Sequence, residues 1–200
     1  MAVNDFDSIA PFYDCLAKLV FGKSLLEAQL AHISEIREKD HVLILGGGTG
    51  EILEHIPFCK SVDYVEKSKQ MIRRAERRQV NLSINFIHHS FLTVELNKQY
   101  DIIICPFFLD CFGEENLLTA ISTCKQKLTS GGKMIVIDFA ENSSDSWIVK
   151  LMHFFFRITA NLESRNLKNI HIQMLYSDFQ LIDEKFSHRN KLFSRLYRNL

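Results

Sequence analysis

Two rhythms of apolar and polar residues run along this chain, and the switches between them mark its elements. Short segments rich in valine and isoleucine, namely Val42–Leu45, Ser61–Glu66, Ile84–His89 and residues 101–105, have the length and content of strands covered on both faces. A fifth such segment, Met134 to Asp138, follows the glycine pair Gly131-Gly132. Between them the apolar residues fall at helical spacing. Ile9, Phe12, Tyr13 and Leu16 share one face, and Leu25, Leu26, Gln29, Leu30, Ile33 and Ile36 continue after Gly22, which predicts two helices within residues 5–37. Ile52, Leu53 and Ile56 predict a helix after the first strand, and residues 69 to about 78 predict another. Leu117, Leu118, Ile121 and Cys124 mark a helix from Glu114 to Leu128. Ile148, Leu151, Phe154, Phe155, Ile158 and Leu162 mark a strongly apolar one from Trp147 to Leu162. The chain ends in two strands, Gln180–Ser187 and Lys191–Asn199, joined by the turn residues His188-Arg189-Asn190.

Strands that alternate with helices predict an α/β fold with a parallel sheet between helical layers. Its 200 residues suit one domain, with 46% hydrophobic and 24% charged residues as in ordinary globular proteins. Formal net charge is zero, so no long-range field marks a nucleic-acid partner. The cysteines at 15, 59, 105, 111 and 124 contain no C-x-x-C and no metal-like pairing with histidine, which predicts buried thiols in a reducing, cytoplasmic setting and no metal site. Asn4, Asp5 and Asp7 stand where a secretory leader needs a basic flank and apolar core, and no apolar run is long enough for a membrane span.

The candidate chemistry lies at the end of the first strand, His41-Val-Leu-Ile-Leu-Gly-Gly-Gly-Thr-Gly-Glu51. A buried strand, a glycine turn and a helix in succession form a nucleotide cradle: glycine lets backbone approach a ligand, and a helix start offers N–H groups. The dinucleotide fingerprint G-x-G-x-x-G would need its third glycine at position 51, where this chain has Glu51. The pattern G-x-G-x-G, with a carboxylate where a pyrophosphate would approach, argues against a nicotinamide dinucleotide. Glu66 ends the second strand 20 positions after Gly46, the spacing at which a strand-end acid accepts hydrogen bonds from both ribose hydroxyls.

Together these residues resemble the first motif of the class I S-adenosylmethionine-dependent methyltransferases. Phe6-Asp-Ser-Ile-Ala-Pro-Phe-Tyr-Asp14 is similar to the opening of the ubiquinone/menaquinone-biosynthesis members, where such a segment closes over the cofactor. Leu128-Thr-Ser-Gly-Gly-Lys-Met resembles the family's L-x-P-G-G segment, with Ser130 in place of proline. The resemblance implies a three-layer sandwich around a seven-stranded, mostly parallel Rossmann-like sheet of order 3-2-1-4-5-7-6, with an antiparallel terminal hairpin. It divides the chain into N-terminal helices (1–40), a cofactor-binding core (41–140), lid or substrate helices (141–179) and the hairpin (180–200).

It also implies S-adenosylmethionine as cofactor, held by Gly46, Gly47, Gly48, Gly50, Glu66, Lys67, Met71, Ser90, Phe91, Pro106 and Tyr13. Met71 fits core filling nearly as well as an adenine pocket, and Tyr13 fits a core aromatic equally well. Two positions depart from the family pattern. Ser90 stands where an aspartate binds the adenine amino group, and Ile44 where many members carry an acid. Asp110, in the aromatic segment Phe107-Phe-Leu-Asp-Cys-Phe112, is a candidate base or a loop acid. His88 and His89 are candidate catalytic groups or surface histidines. The implied function is methyl transfer to a small, apolar or aromatic acceptor. The implied alternative is a cofactor-binding partner subunit without catalysis. Residues 147–162 would roof the acceptor pocket or form the face of a homodimer.

Overall fold

The computed structural model describes residues 21–140 and 170–200. The segment 6–14 with Tyr13, the helix expected at 147–162 and its Phe154 and Phe155 lie outside the described residues.

Seven strands form one sheet: β1 (His41–Leu45), β2 (Ser61–Glu66), β3 (Ile84–His88), β4 (Tyr100–Pro106), β5 (Leu128–Phe139), β6 (Phe179–Ser187) and β7 (Leu192–Asn199). Their order is β3-β2-β1-β4-β5-β7-β6, as the sequence led us to expect. The pairs among β1 to β5 are parallel, and β7 runs antiparallel to both β5 and β6. The chain adds strands outward in one direction from β1 and in the other from β4, so the carboxyl ends of these two strands define the crevice where ligands bind in open α/β sheets.

The strict alternation of side chains along a strand separates two cores. Leu43, Leu45, Ile103, Cys105, Met134 and Val136 pack on one face. Val42, Ile44, Ile102, Ile104, Ile135 and Ile137 pack on the other. The first face is covered by α3 (Glu114–Lys127), through Leu117, Ala120, Ile121 and Cys124, and by α4 (Ile170–Tyr176), through Ile170 and Met174. The second is covered by α1 (Ser24–Leu30) and α2 (Lys69–Ala75), which contribute Ala28, Ile72 and Ala75. This is the expected three-layer sandwich.

Three local expectations are corrected. The helix anticipated after the glycine turn is only a 3-10 turn, Glu51–His55. Ile56 precedes Pro57, whose ring forbids helical backbone one residue back, and Ile56 is accordingly extended (φ −66°, ψ 126°). The helix expected to run through Ile36 stops at Leu30 and resumes as a 3-10 turn, Ile33–Glu35. The break lies at Ala31 and His32, where the His32 ring turns inward. Third, the fifth strand does not wait for Met134 but already contains Gly131 and Gly132. β5 begins at Leu128, and the glycines occupy a register shift against β4, with Gly131 at φ +71°.

His32 joins the helical layer to the terminal hairpin. Its ring is 2% exposed, with Nε2 3.2 Å from Asp183 Oδ2 and Nδ1 2.9 Å from Ser194 Oγ. A carboxylate only accepts, so the neutral tautomer that satisfies both contacts carries its proton on Nε2 and accepts from the serine hydroxyl. Burial lowers the His32 pKa, opposed by the hydrogen bond to Asp183. The unfolded chain therefore takes up this proton first as pH falls. The His32 contribution is complete above pH about 6.5, the model-peptide value, and is lost as pH drops toward the depressed folded value. Burial and the charges of Lys191 and Arg189 lower His188 in the same direction. We expect urea-denaturation stability to decline below pH about 6.5, and His32→Gln to flatten, without abolishing, that decline.

Candidate active site

The loop after β1 turns on alternating left-handed glycines: Gly46, Gly48 and Gly50 have φ of +65°, +63° and +76°. L side chains pay for such backbone, so glycine is the residue for each position. Beyond that shared need the glycines differ. A Cβ on Gly46 would lie 2.5 Å from Phe108 Cδ2, one on Gly47 2.5 Å from the Tyr64 ring, and one on Gly50 2.7 Å from Ala75 Cβ. These three let the loop press onto the aromatic segment after β4, onto β2 and onto α2. A Cβ on Gly48 would meet nothing within 4 Å. Gly48 thus presents bare backbone to open space, as a ligand cradle requires.

Glu66 reads this loop from the end of β2. Its Oε2 accepts the Gly48 N–H at 3.1 Å and its Oε1 accepts the Ser68 N–H at 2.7 Å, with the residue 7% exposed. Two backbone donors fix the carboxylate's orientation at the strand end. The Ser68 hydroxyl accepts the Met71 N–H at 3.1 Å, capping α2 and burying Met71 beneath its first turn. Lys67 is exposed, and its carbonyl accepts from His88 Nε2 at 3.0 Å. At the end of β3, His89 Nδ1 donates to the Ser90 carbonyl at 3.1 Å. Both histidines are exposed and held by backbone. Ser90 is half-buried, and Phe91 is buried with its ring edge-on to Phe108 at 5.9 Å.

The end of β4 supplies the third side. Pro106 is its last residue, and Phe107 then takes left-handed backbone (φ +52°) while its N–H bonds the Ile137 carbonyl at 2.7 Å. A non-glycine residue held there is strained and persists because its surroundings over-determine it. Phe107 lies against Phe139 at 5.4 Å and Phe108 against Phe112 at 4.9 Å, so the segment is walled by aromatic rings.

Within that wall sit two carboxyl groups. Asp110 is buried, at 8% exposure, and its N–H donates to Asp138 Oδ2 at 3.2 Å. Asp138 ends the apolar run of β5, is fully buried, and also accepts the Phe139 N–H through Oδ1 at 2.9 Å. Burial first, then the neighbouring Asp110 charge, push the Asp138 carboxyl well above the usual range. The Cys111 thiol, donating to Asp110 Oδ1 at 3.5 Å, is pushed up by burial and by the same two acids, so it is no thiolate nucleophile. Asp138 was missed at the sequence level; an acid closing an apolar strand at its carboxyl end was the available signal.

The residues present fit an adenosyl cofactor: a cradle that a Cβ at Gly48 would fill, an oriented acid at the second strand end and an aromatic wall opposite. The structure brings Gly46, Gly47, Gly48, Gly50, Glu66, Phe91 and Pro106 together at the carboxyl ends of β1 to β4, while Lys67, His88 and His89 face solvent beside them.

Residues 42–132 match the family described as "Methyltransferase domain". No curated protein sequence matches the chain. Among solved structures, the fold is shared with the N-methyltransferase NodS of Bradyrhizobium japonicum WM9, determined with S-adenosylhomocysteine (TM-score 0.65, 16% identity, covering 88% of this chain and 83% of that one). It is shared with an S-adenosylmethionine-dependent methyltransferase of Mesorhizobium loti (TM-score 0.68, 14% identity, 87% and 99% covered). A third similar chain comes from the complex of the Haloferax volcanii Trm112 methyltransferase activator with its putative methyltransferase (TM-score 0.73, 12% identity, 100% and 99% covered).

The glycine contacts give a stability test. Gly47→Ala forces a methyl group into the fully buried Tyr64 ring and should cost about 1–3 kcal/mol, the range for overpacking. Gly48→Ala meets no neighbour and should cost only the left-handed backbone, about 1–2 kcal/mol. Urea denaturation of both variants checks this, and adding Tyr64→Leu should relieve Gly47→Ala alone.

Proposed function

We propose that this chain is an S-adenosylmethionine-dependent methyltransferase that methylates a small acceptor with an apolar or aromatic body, a reading supported by the domain match over residues 42–132 and by the shared fold. The observation that supports it best is the joining of the open Gly48 cradle to the Glu66 carboxylate on one side and the Phe107–Phe112 wall on the other. S-adenosylmethionine supplies an activated methyl group, so the protein's task is alignment, exclusion of water and, where the acceptor must lose it, removal of a proton.

In this reading Gly46–Gly50 seat the methionine portion, Glu66 takes the ribose hydroxyls, and Met71, Ser90 and Phe91 border the adenine. The aromatic rings after β4 exclude water from the acceptor side. Asp110, whose backbone N–H is held by Asp138 at the aromatic wall, serves as the base. His88 and His89, held by backbone carbonyls in solvent, take no part. The buried cysteines 59, 105 and 124 suit the reducing cytoplasm.

A second reading, a cofactor-binding partner subunit without turnover, draws on Ile44, which is fully buried where many relatives carry an acid, and on Ser90. The Haloferax volcanii complex gives that reading a form, an assembly with an activator subunit. Methyl transfer by the isolated chain excludes it.

The deciding experiment is calorimetric titration with S-adenosylhomocysteine, with NADH as the contrast. Wild-type chain should bind the first and not the second. Glu66→Ala should lose about 1.5–3 kcal/mol of affinity, the range for hydrogen bonds to a charged group; wild-type affinity in that variant refutes the ribose assignment. Once an acceptor is in hand, Asp110→Asn should lower kcat by about 10²–10⁴-fold, the usual worth of general base catalysis, with S-adenosylhomocysteine affinity nearly unchanged.

A further inference from the structure

The sequence places Arg73, Arg74, Arg77 and Arg78 together as a basic helical cluster, which reads as a solvated face. Arg78 departs from it. It stands just past α2, where its N–H bonds the Ala75 carbonyl at 3.1 Å, and its side chain reaches back to the glycine loop. Nε donates to the Thr49 carbonyl at 2.6 Å, Nη2 lies 3.4 Å from Thr49 Oγ1, and Nη1 donates to Glu54 Oε1 at 2.6 Å. One guanidinium thus joins the loop to the 3-10 turn that follows it. The contact of Gly50 with Ala75, close enough that a Cβ would overlap, lies beside it.

The consequence runs through the peptide planes of the loop. The carbonyls of Gly47, Gly48, Thr49 and Gly50 accept, in turn, from Gly50 N–H (3.1 Å), Tyr64 Oη–H (2.9 Å), Arg78 Nε–H (2.6 Å) and Leu53 N–H (2.9 Å). Four successive carbonyls are drawn to protein donors. In a trans peptide the carbonyl of one residue and the N–H of the next point in opposite directions. Arg78 therefore sets the plane between Thr49 and Gly50, whose N–H closes the turn onto Gly47. Gly48, the residue with open space above it, lies inside that turn. Free to rotate, the 49–50 plane would break the Gly50-to-Gly47 bond and shift the Gly48 N–H off Glu66.

We propose that Arg78 is a positioning residue for the cofactor loop: by holding the Thr49 carbonyl against Glu54 it keeps Gly48 and Glu66 in the geometry that binds S-adenosylmethionine. The proposal rests on the reading that this loop holds that cofactor.

The test is calorimetry with S-adenosylhomocysteine, together with steady-state kinetics and melting temperature, on wild type, Arg78→Gln, Arg78→Lys and Arg77→Gln. Arg78→Gln should weaken S-adenosylhomocysteine, and raise the KM for S-adenosylmethionine, by about ten-fold or more, the worth of a lost charge-assisted hydrogen bond. Its kcat at saturating S-adenosylmethionine should stay within about two-fold, because Arg78 is distant in role from the methyl acceptor. Arg78→Lys should recover part of the affinity, since an ammonium reaches the carbonyl or Glu54 but lacks the fork that holds both. Arg77→Gln, at an exposed position of the same cluster, should bind as wild type does. Wild-type affinity in Arg78→Gln overturns the proposal, as does a fall in kcat with KM unchanged. Should Arg78→Gln fail to fold, wild-type affinity in Arg78→Lys overturns it equally. A wild-type chain that binds no S-adenosylhomocysteine overturns instead the reading of the loop itself.

Discussion

The constraint on which this structure depends is the return of the chain at the end of β1. Three left-handed glycines within five residues fold the backbone so tightly that it touches β2, α2 and the segment after β4 at once. No side chain could be fitted at Gly46, Gly47 or Gly50 without displacing Phe108, Tyr64 or Ala75. The two central strands enter this crossing point from a core buried on both faces. The loop is therefore packed against three elements at once, although it lies where the sheet meets solvent. Binding sites built on such elements lose little entropy when occupied.

Charge is distributed around that point with economy. Glu66 meets backbone donors, while the fully buried Asp138 carboxyl is pushed well above the usual range by burial. Two charges at Asp110 and Asp138 would be costly in an aromatic enclosure, and burial with the neighbouring Asp110 pushes the Asp138 carboxyl upward accordingly. Elsewhere in the sheet the buried Asp63 is met by the Tyr100 hydroxyl at 2.6 Å and Lys98 Nζ at 3.0 Å. Burial and that carboxylate push the Tyr100 phenol upward, so it stays a donor. Buried acids are compensated by donors or pushed upward, depending on what the neighbouring strand offers.

The strands and the glycine turn were legible in the sequence because each depends on local rules: apolar runs, the period of two, and glycine at positive φ; the order of the strands followed only from the resemblance to a known family. The terminal hairpin was legible for the same reason; His188, Arg189 and Asn190 all adopt the left-handed backbone that a tight turn demands. What escaped was decided by contacts distant in the chain. His32 breaks its helix for the sake of Ser194 and Asp183, more than a hundred residues away. Asp138 acquires its chemistry only when β5 brings it beside Asp110. Arg78 looked like one of four surface arginines because nothing in the spacing shows that it turns back to Thr49. The missing helix after the loop is a different case, since Pro57 was visible and its effect on Ile56 is local.

Tyr64 is fully buried in β2, yet its hydroxyl holds the Gly48 carbonyl at the cradle. A core side chain thereby belongs to the packing of the sheet and to the shape of the ligand site together. Folding and cofactor capture are then linked equilibria: a ligand that fits the loop raises the free energy of unfolding by RT ln(1 + [L]/Kd). Any ligand held by this loop therefore also holds the sheet beneath it together, so occupancy of the site and resistance to unfolding rise and fall as one.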